Sequence, residues 1–558
     1  MSTRKLIGKV SATEKYPSSC DEFQFWMSDD TILSPFDIVL VKNKTDNSTT
    51  YGVVQDIFHI TDGTGHISNY VSSDFGNVET VPMTRRLSLS YAKVSVIHND
   101  KENFMPVFEG SPVYTADEDD IQTALGLDNI DEKTAIPAGL MKAGGNVSVP
   151  IKYNGDFLIG PEGAHMNISG ISGLATKTSY VMFLLKAIQY KCGDDVAIIV
   201  MNVKGDDLLH VHQRNEKITD AQRKDWIDLG VPCDPFENVK YLYPYREQKS
   251  KHFANTALSA DDLAEQFSKG QAANFVYTYE NDVDKVDMLV SNVDDPNFTI
   301  QSILDHIAGS ADFRVADWDA FKDVLKSYTE KGNASRNNSN ILIQSWQRFR
   351  RLINNSINDD IFVNTKSGNK ERHQVYLSDE VLNINGGEMK VVDIAGLTEQ
   401  LQCLVFGDII RSVYSLKHGD FEPNARTSKK PIPKRIIIFV DELNKYAPST
   451  SKTGKSSPLL TNLLDITERG RSEGVILFSA EQFRSAIHDR IKGNCGTNVY
   501  GRTNAIEVSR PDYKFVPSVY ANMMTRLKKG DLIIQHPVFK TLLKIQFPFP
   551  SYNQGGSK

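Results

Sequence analysis

Five consecutive large apolar residues, Ile436 to Val440, run directly into two acids, Asp441 and Glu442. A short run of Ile, Val and Phe without polar alternation predicts a strand buried on both faces, the setting of a parallel sheet covered by helices. Comparable strands are expected at residues 165–169, 197–203, 390–394 and 474–479. Helical stretches such as 178–190 separate them, and strands alternating with helices imply an α/β fold.

The turn after residue 169 carries the first chemical signal. It reads Ser169-Gly170-Ile171-Ser172-Gly173-Leu174-Ala175-Thr176-Lys177-Thr178-Ser179, directly after a strand and opening a helix. Backbone N–H groups of such a turn converge on phosphate oxygens, and the helix N-terminus adds partial positive charge. The expected nucleotide-binding residues are Gly170, Ser172, Gly173, Leu174, Ala175, Thr176, Lys177, Thr178 and Ser179. Lys177 would reach the β- and γ-phosphates of ATP, and the Thr178 hydroxyl would ligate Mg²⁺. The loop departs from G-x-x-x-x-G-K-[ST]: Thr176 precedes the lysine where glycine is usual, and Gly170 to Thr178 spans nine residues instead of eight. A rival, Ser449 to Ser456, ends in Gly454-Lys455-Ser456. Its lysine lies 14 residues beyond Asp441, too far for a strand-to-helix turn, and its Ser, Thr and Lys between Pro448 and Pro458 read as a loop.

The acids supply the other half of a site. Asp441 is placed to hold Mg²⁺, and Glu442 to orient and deprotonate an attacking water. Gln482, just past the strand at 474–479, can sense a γ-phosphate, the alternative being a solvated loop amide. Arg469 and Arg471 are expected in an exposed turn after a helix at 459–468. There an arginine could stabilise a neighbouring subunit's transition state, or simply pair with Glu468 or Glu473. Asp393 and the Lys204-Gly205-Asp206-Asp207 segment follow strands at the same sheet edge, where ligands gather in open α/β folds.

Around this core, residues 1–115 read as short strands with turn-rich spacers, a small N-terminal β-barrel. Residues 116–150 read as an acidic surface helix and a linker. The core is expected at 151–255 and 366–558, closed by a C-terminal hairpin, with a strand-free helical insertion at 256–365. At 558 residues the chain has enough apolar mass, 40%, for several cores. Its first residues lack the apolar stretch of a signal peptide and no run approaches ~20 apolar residues, so no membrane partner is expected. Five scattered cysteines, none in a CxxC, imply neither a disulfide framework nor a zinc site and fit a reducing cytoplasm. A net charge of -7 argues only weakly against a nucleic-acid partner, because a ring can be acidic outside and basic within. Lys445, Lys452 and Lys455 after the acidic strand, and Lys429, Lys430, Lys434 and Arg435 before it, are candidate phosphate contacts. Arg348, Arg350 and Arg351 fit one face of a helix equally well.

Taken in order, these features resemble the HerA family of hexameric P-loop ATPases, DNA translocases related to FtsK. The resemblance rests on the barrel, the lead-in Asn154-Gly-Asp-Phe-Leu-Ile-Gly160 with His165, and Lys204-Gly205. It continues through Val392-Asp-Ile-Ala-Gly-Leu397, Val440-Asp-Glu442, the Arg469-Gly-Arg471 segment, Glu481-Gln482, Tyr500-Gly501-Arg502 and the hairpin at 530–534. It implies a RecA-like P-loop NTPase core and a cytoplasmic homohexamer threading double-stranded DNA with ATP and Mg²⁺. It also implies a nuclease or NADase-type effector docked on the barrel, and the altered loop suits a divergent antiphage-defence member. A different class of function, an ATP-binding hexameric scaffold that assembles an effector with little motor activity, fits the same residues.

Overall fold

The computed structural model describes residues 4–72, 74–79, 87–103, 105–143, 147–171, 176–293, 295, 297–330, 341–449 and 457–555. It divides into two compact units, Met1–Tyr153 with Arg502–Phe547, and Asn154–Gly501 with Pro548–Lys558. The segment at 116–150 and the C-terminal hairpin therefore fall in the same unit as the barrel.

The first unit is built on a closed antiparallel barrel of six strands among the described residues. Its order is Leu6–Ser11, Glu22–Met27, Ser88–Asn99, Thr49–Thr61, Ile38–Lys42 and Pro112–Thr115. Alternation sends one face inward: Phe23, Phe25 and Met27 are buried while Glu22 and Trp26 are exposed. The acidic segment forms the helix Glu118–Leu125, which is not wholly solvated. Ile121, Ala124 and Leu125 are buried, and buried Asp120 accepts two 2.8 Å hydrogen bonds from Arg4. The expected linker is instead strand Ala135–Ala143, which joins Val147–Asn154 and the hairpin Asp531–Gln535/Leu543–Gln546. Gly139 does not interrupt it, because its φ of 148° is available to glycine and a Cβ would meet the Gln546 carbonyl at 2.9 Å.

The second unit holds nine parallel strands among its described residues. From one edge they are Gln374–Tyr376, Ala272–Val276, Val239–Pro244, Met389–Asp393, Val196–Asn202, Arg435–Asp441, Val475–Glu481, Met166–Ser169 and Thr497–Tyr500. Every residue of Val196–Asn202, Met389–Asp393 and Val475–Glu481 is buried, as a sheet covered on both faces requires.

The segment expected to be strand-free contributes Ala272–Val276 to this sheet, so the helical insertion is interrupted. The helices that follow pack Trp318, Phe321, Trp346, Phe349 and Ile353 into the same core as the sheet. Within Ile343–Ile357, Trp346, Phe349, Ile353 and Ile357 face inward while Arg348 and Arg351 are exposed, so the basic run is an amphipathic helix's outer face.

Candidate functional site

Three adjacent strands position the site. Arg435–Asp441 and Met166–Ser169 both pair with Val475–Glu481, with Asp441 opposite Ala480 and Glu481 opposite Ser169. The phosphate loop, the two acids and Gln482 therefore leave the sheet at one edge, separated by a single strand. Gly170 (φ 158°) turns the chain out, its N–H donating to the Glu481 carbonyl at 3.1 Å. The helix Thr176–Cys192 follows. Ser172, Gly173, Leu174 and Ala175 lie outside the described residues, as do Lys452 and Lys455 of the rival loop.

At this edge the side chains converge. The Thr178 hydroxyl lies 3.4 Å from Asp441 Oδ2, across 263 residues of sequence. Lys204 Nζ approaches the same Asp441 oxygen at 3.2 Å. Gln482 donates to Glu442 Oε1 at 3.0 Å, and the Glu442 N–H donates to Asp441 Oδ1 at 3.0 Å. Glu442 has φ 59° and ψ 46°, a left-handed conformation that a non-glycine residue adopts at a cost, commonly where a side chain must be aimed for function. Lys177 is 5% exposed and its Nζ has no hydrogen-bond partner among the described residues. Burial pushes its pKa down despite Asp441, Glu442 and Glu481 nearby, so those carboxylates do not fully compensate the buried ammonium.

Beside the strand end at Ser169 lies a polar layer that sequence reading did not anticipate. Asn167 donates to Ser479 Oγ (3.0 Å) and Glu481 Oε2 (2.9 Å) and accepts from Arg484 (3.0 Å), which also donates to Asn498 (2.7 Å). Burial raises the Glu481 carboxyl well above the usual range. The layer ties Met166–Ser169, Val475–Glu481 and Thr497–Tyr500 together where the loop departs. Its residues are ordinary Asn, Glu and Arg far apart in sequence, and only the Glu481-Gln482 pair gave a local signal.

Other candidates have different roles. Asp393 is 1% exposed and bound by Thr256 (2.6 Å), Asn202 (2.9 Å) and the Ala395 N–H (3.2 Å), so it braces strand ends. His165 Nδ1 accepts the Leu477 N–H at 3.0 Å at the opposite sheet edge. Burial, reinforced by Arg471, lowers its pKa to about 4. Arg469 and Arg471 are not in a turn: they belong to the helix Pro458–Glu473, which Gly474 (φ 74°) terminates. Gly470 keeps the helix close to the sheet, since a Cβ there would meet the Val475 carbonyl at 2.4 Å. Both arginines thus precede Val475–Glu481 and sit at the edge away from their own chain's phosphate loop; Arg471 donates to the Glu162 carbonyl at 2.8 Å. Lys434 pairs with Asp195 (2.9 Å) and Arg435 donates to the Gly160 carbonyl (2.8 Å), whereas Lys445 is exposed near the acids.

A parallel sheet with a strand-to-helix turn two strands from a strand ending in acids is the α/β arrangement of a RecA-like core. The sequence matches no protein-family model and no curated protein. Among solved structures, the chain is similar to the bacterial conjugative coupling protein TrwBdeltaN70, with 12% identity over 78% of this chain and 93% of that one and a TM-score of 0.45. It is similar to VirB4 of Thermoanaerobacter pseudethanolicus, with 10% identity over 75% and 97% and a TM-score of 0.40. The genome packaging NTPase B204 from Sulfolobus turreted icosahedral virus 2 matches over 31% of this chain and 72% of its own, with 12% identity and a TM-score of 0.23. TrwB is known in complex with the ATP analogue ADPNP and with ADP and Mg²⁺. No helix among the described residues is long and apolar enough to cross a membrane.

Proposed function

We propose that the second unit binds and hydrolyses Mg·ATP, and that the chain is the motor subunit of a homohexameric ring acting on double-stranded DNA. The observation that carries this is the convergence of Thr178 and Asp441 at 3.4 Å beside a buried Lys177 whose Nζ has no hydrogen-bond partner among the described residues. A buried cation that the described residues leave unbonded complements a polyanion. A hydroxyl and a carboxylate on one spot are hard oxygen donors suited to Mg²⁺, and Lys204 already brings positive charge to that carboxylate. Among the described residues no three His, Cys, Asp or Glu side chains are placed to hold a metal. The ion would therefore rely on Thr178, Asp441, phosphate oxygens and water, as Mg²⁺ commonly does.

When bound, Mg²⁺ neutralises charge on the β- and γ-phosphate oxygens. Lys177 binds those oxygens from the helix side. Glu442 orients a water and accepts its proton, and Gln482 holds the Glu442 carboxylate in place through the 3.0 Å bond. Arg469 and Arg471, remote from their own chain's loop, are the residues available to a neighbour's nucleotide. Exposed Lys445, with Lys452 and Lys455, would meet DNA phosphates, and the barrel would carry a nuclease or NADase-type effector. Glu442→Gln tests the reading: turnover should fall roughly 10²–10⁴-fold with ATP binding retained. A wild-type protein that binds ATP without hydrolysing it, with or without DNA, would leave the scaffold alternative standing instead.

A further inference from the structure

After the hairpin the chain re-enters the second unit at Pro548. It is fastened there residue by residue. Trp226 Nε1 donates to the Phe549 carbonyl (2.8 Å) and Asn215 Nδ2 to the Pro550 carbonyl (2.8 Å). The Asn215 N–H donates to the Ser551 carbonyl (3.0 Å), and Ser551 Oγ to the Asp234 carbonyl (2.9 Å). Tyr552 is buried, its ring 6.0 Å from that of Phe236. Asn553 bonds Gln213 twice, through its N–H to the carbonyl and through Nδ2 to Oε1, both at 2.9 Å. This anchoring delivers Gln554 to the phosphate-loop helix, where its Nε2 donates to Ser179 Oγ at 3.1 Å. Gly555 (φ 67°) lies against Asp206, since a Cβ there would meet the carboxylate at 2.9 Å.

Helix geometry says which part of a nucleotide this segment faces. Successive residues turn by about 100°, so Ser179 points away from the direction in which Thr178 meets Asp441. With the metal and terminal phosphates on the Thr178 side, Ser179 and the Gln554 bonded to it flank a second side of the same helix start, open to the rest of the nucleotide in this reading. The segment at 204–206 joins the two sides, with Lys204 on Asp441 and Asp206 against Gly555.

We infer that residues 553–555 form the nucleoside wall of the ATP site and that Gln554 is a nucleotide-binding residue. Its carboxamide, which offers both a donor and an acceptor, exchanges Ser179 for the nucleoside end of ATP and frees the Ser179 hydroxyl for the α-phosphate. This rests on the nucleotide reading above and adds the residue that distinguishes a nucleotide from a bare polyphosphate.

The test compares ATP with inorganic tripolyphosphate, both measured by displacement of a fluorescent ATP analogue. The proteins are the full chain, Gln554→Ala, and a chain ending at Asn553, which keeps the anchoring contacts. Both variants should weaken ATP roughly three- to tenfold, the effect of one or two lost hydrogen bonds, and leave tripolyphosphate within about twofold. Unchanged ATP affinity would overturn the inference, as would equal losses for both ligands, which mark a merely structural support for the helix. A full chain that binds neither ligand, indistinguishable from Lys177→Ala, would refute the nucleotide site itself and this inference with it.

Discussion

Replacing Lys177 with methionine should make the empty protein more stable and the ATP-treated protein less stable than wild type. The Lys177 ammonium is 5% exposed with no hydrogen-bond partner among the described residues, and burial outweighs the attraction of Asp441, Glu442 and Glu481. A buried, unsatisfied polar group costs about 1–3 kcal/mol, and partial compensation by the carboxylates places the gain for Lys177→Met near about 1 kcal/mol. Methionine keeps the length and flexibility of the stem, so little packing is lost. Saturating Mg·ATP reverses the order. At a hundred times its dissociation constant a ligand stabilises the protein it binds by about 2.7 kcal/mol, which wild type should gain and the variant should not. Urea unfolding with and without Mg·ATP reads both signs, following a signal confined to the second unit because a two-unit chain need not unfold in one step. A variant less stable than wild type in the absence of ATP, or equally stabilised by ATP, would refute the idea that this lysine is held strained for a polyanion.

Acid should act on the second unit through His165. Its imidazole titrates near about 4 when folded, against 6.5 for a freely solvated histidine, so above pH 6.5 it contributes nothing. Between those values only the unfolded chain takes up the proton, which costs about 2 kcal/mol of stability at pH 5. His165→Asn, which tolerates the positive φ and can still accept the Leu477 N–H, should lose about that much less between pH 7 and 5; parallel urea midpoints would contradict this. Gly470→Ala forces a Cβ to 2.4 Å from the Val475 carbonyl and should cost at least about 1–3 kcal/mol, visible as a lower melting temperature. Gln482→Ala removes the 3.0 Å tether on Glu442 and should lower kcat with the KM for ATP little changed; a rise in KM at constant kcat would assign Gln482 to binding instead.

The centre of the fold and the core of the site were legible because their signals are local. Ile436–Glu442 announces a buried strand and its acidic end within seven residues, and Thr176–Ser179 opens a helix directly after a strand. The edge strands were harder. Ala272–Val276 contains two alanines and an asparagine, weak β-formers, and Asn274 is tolerated in the sheet because it donates to the His252 and Arg372 carbonyls. That satisfaction comes from residues 22 and 98 positions away, which no window along the chain can see. Arg469 and Arg471 read as a turn because Gly470 sits between them. In the structure that glycine is selected by proximity to a strand, and the helix continues through it. Lys204 on Asp441 and Gln554 on Ser179 are contacts across 237 and 375 residues, set by topology alone.

The most direct test of a shared metal at Thr178 and Asp441 is a double-mutant cycle on Mg²⁺-dependent ATP affinity. Thr178→Val and Asp441→Asn should each abolish most of the gain that Mg²⁺ brings to ATP binding, and the double variant should be little worse than either single one, because both groups act on one ion. Losses that simply add would place the two side chains at independent sites and contradict the account.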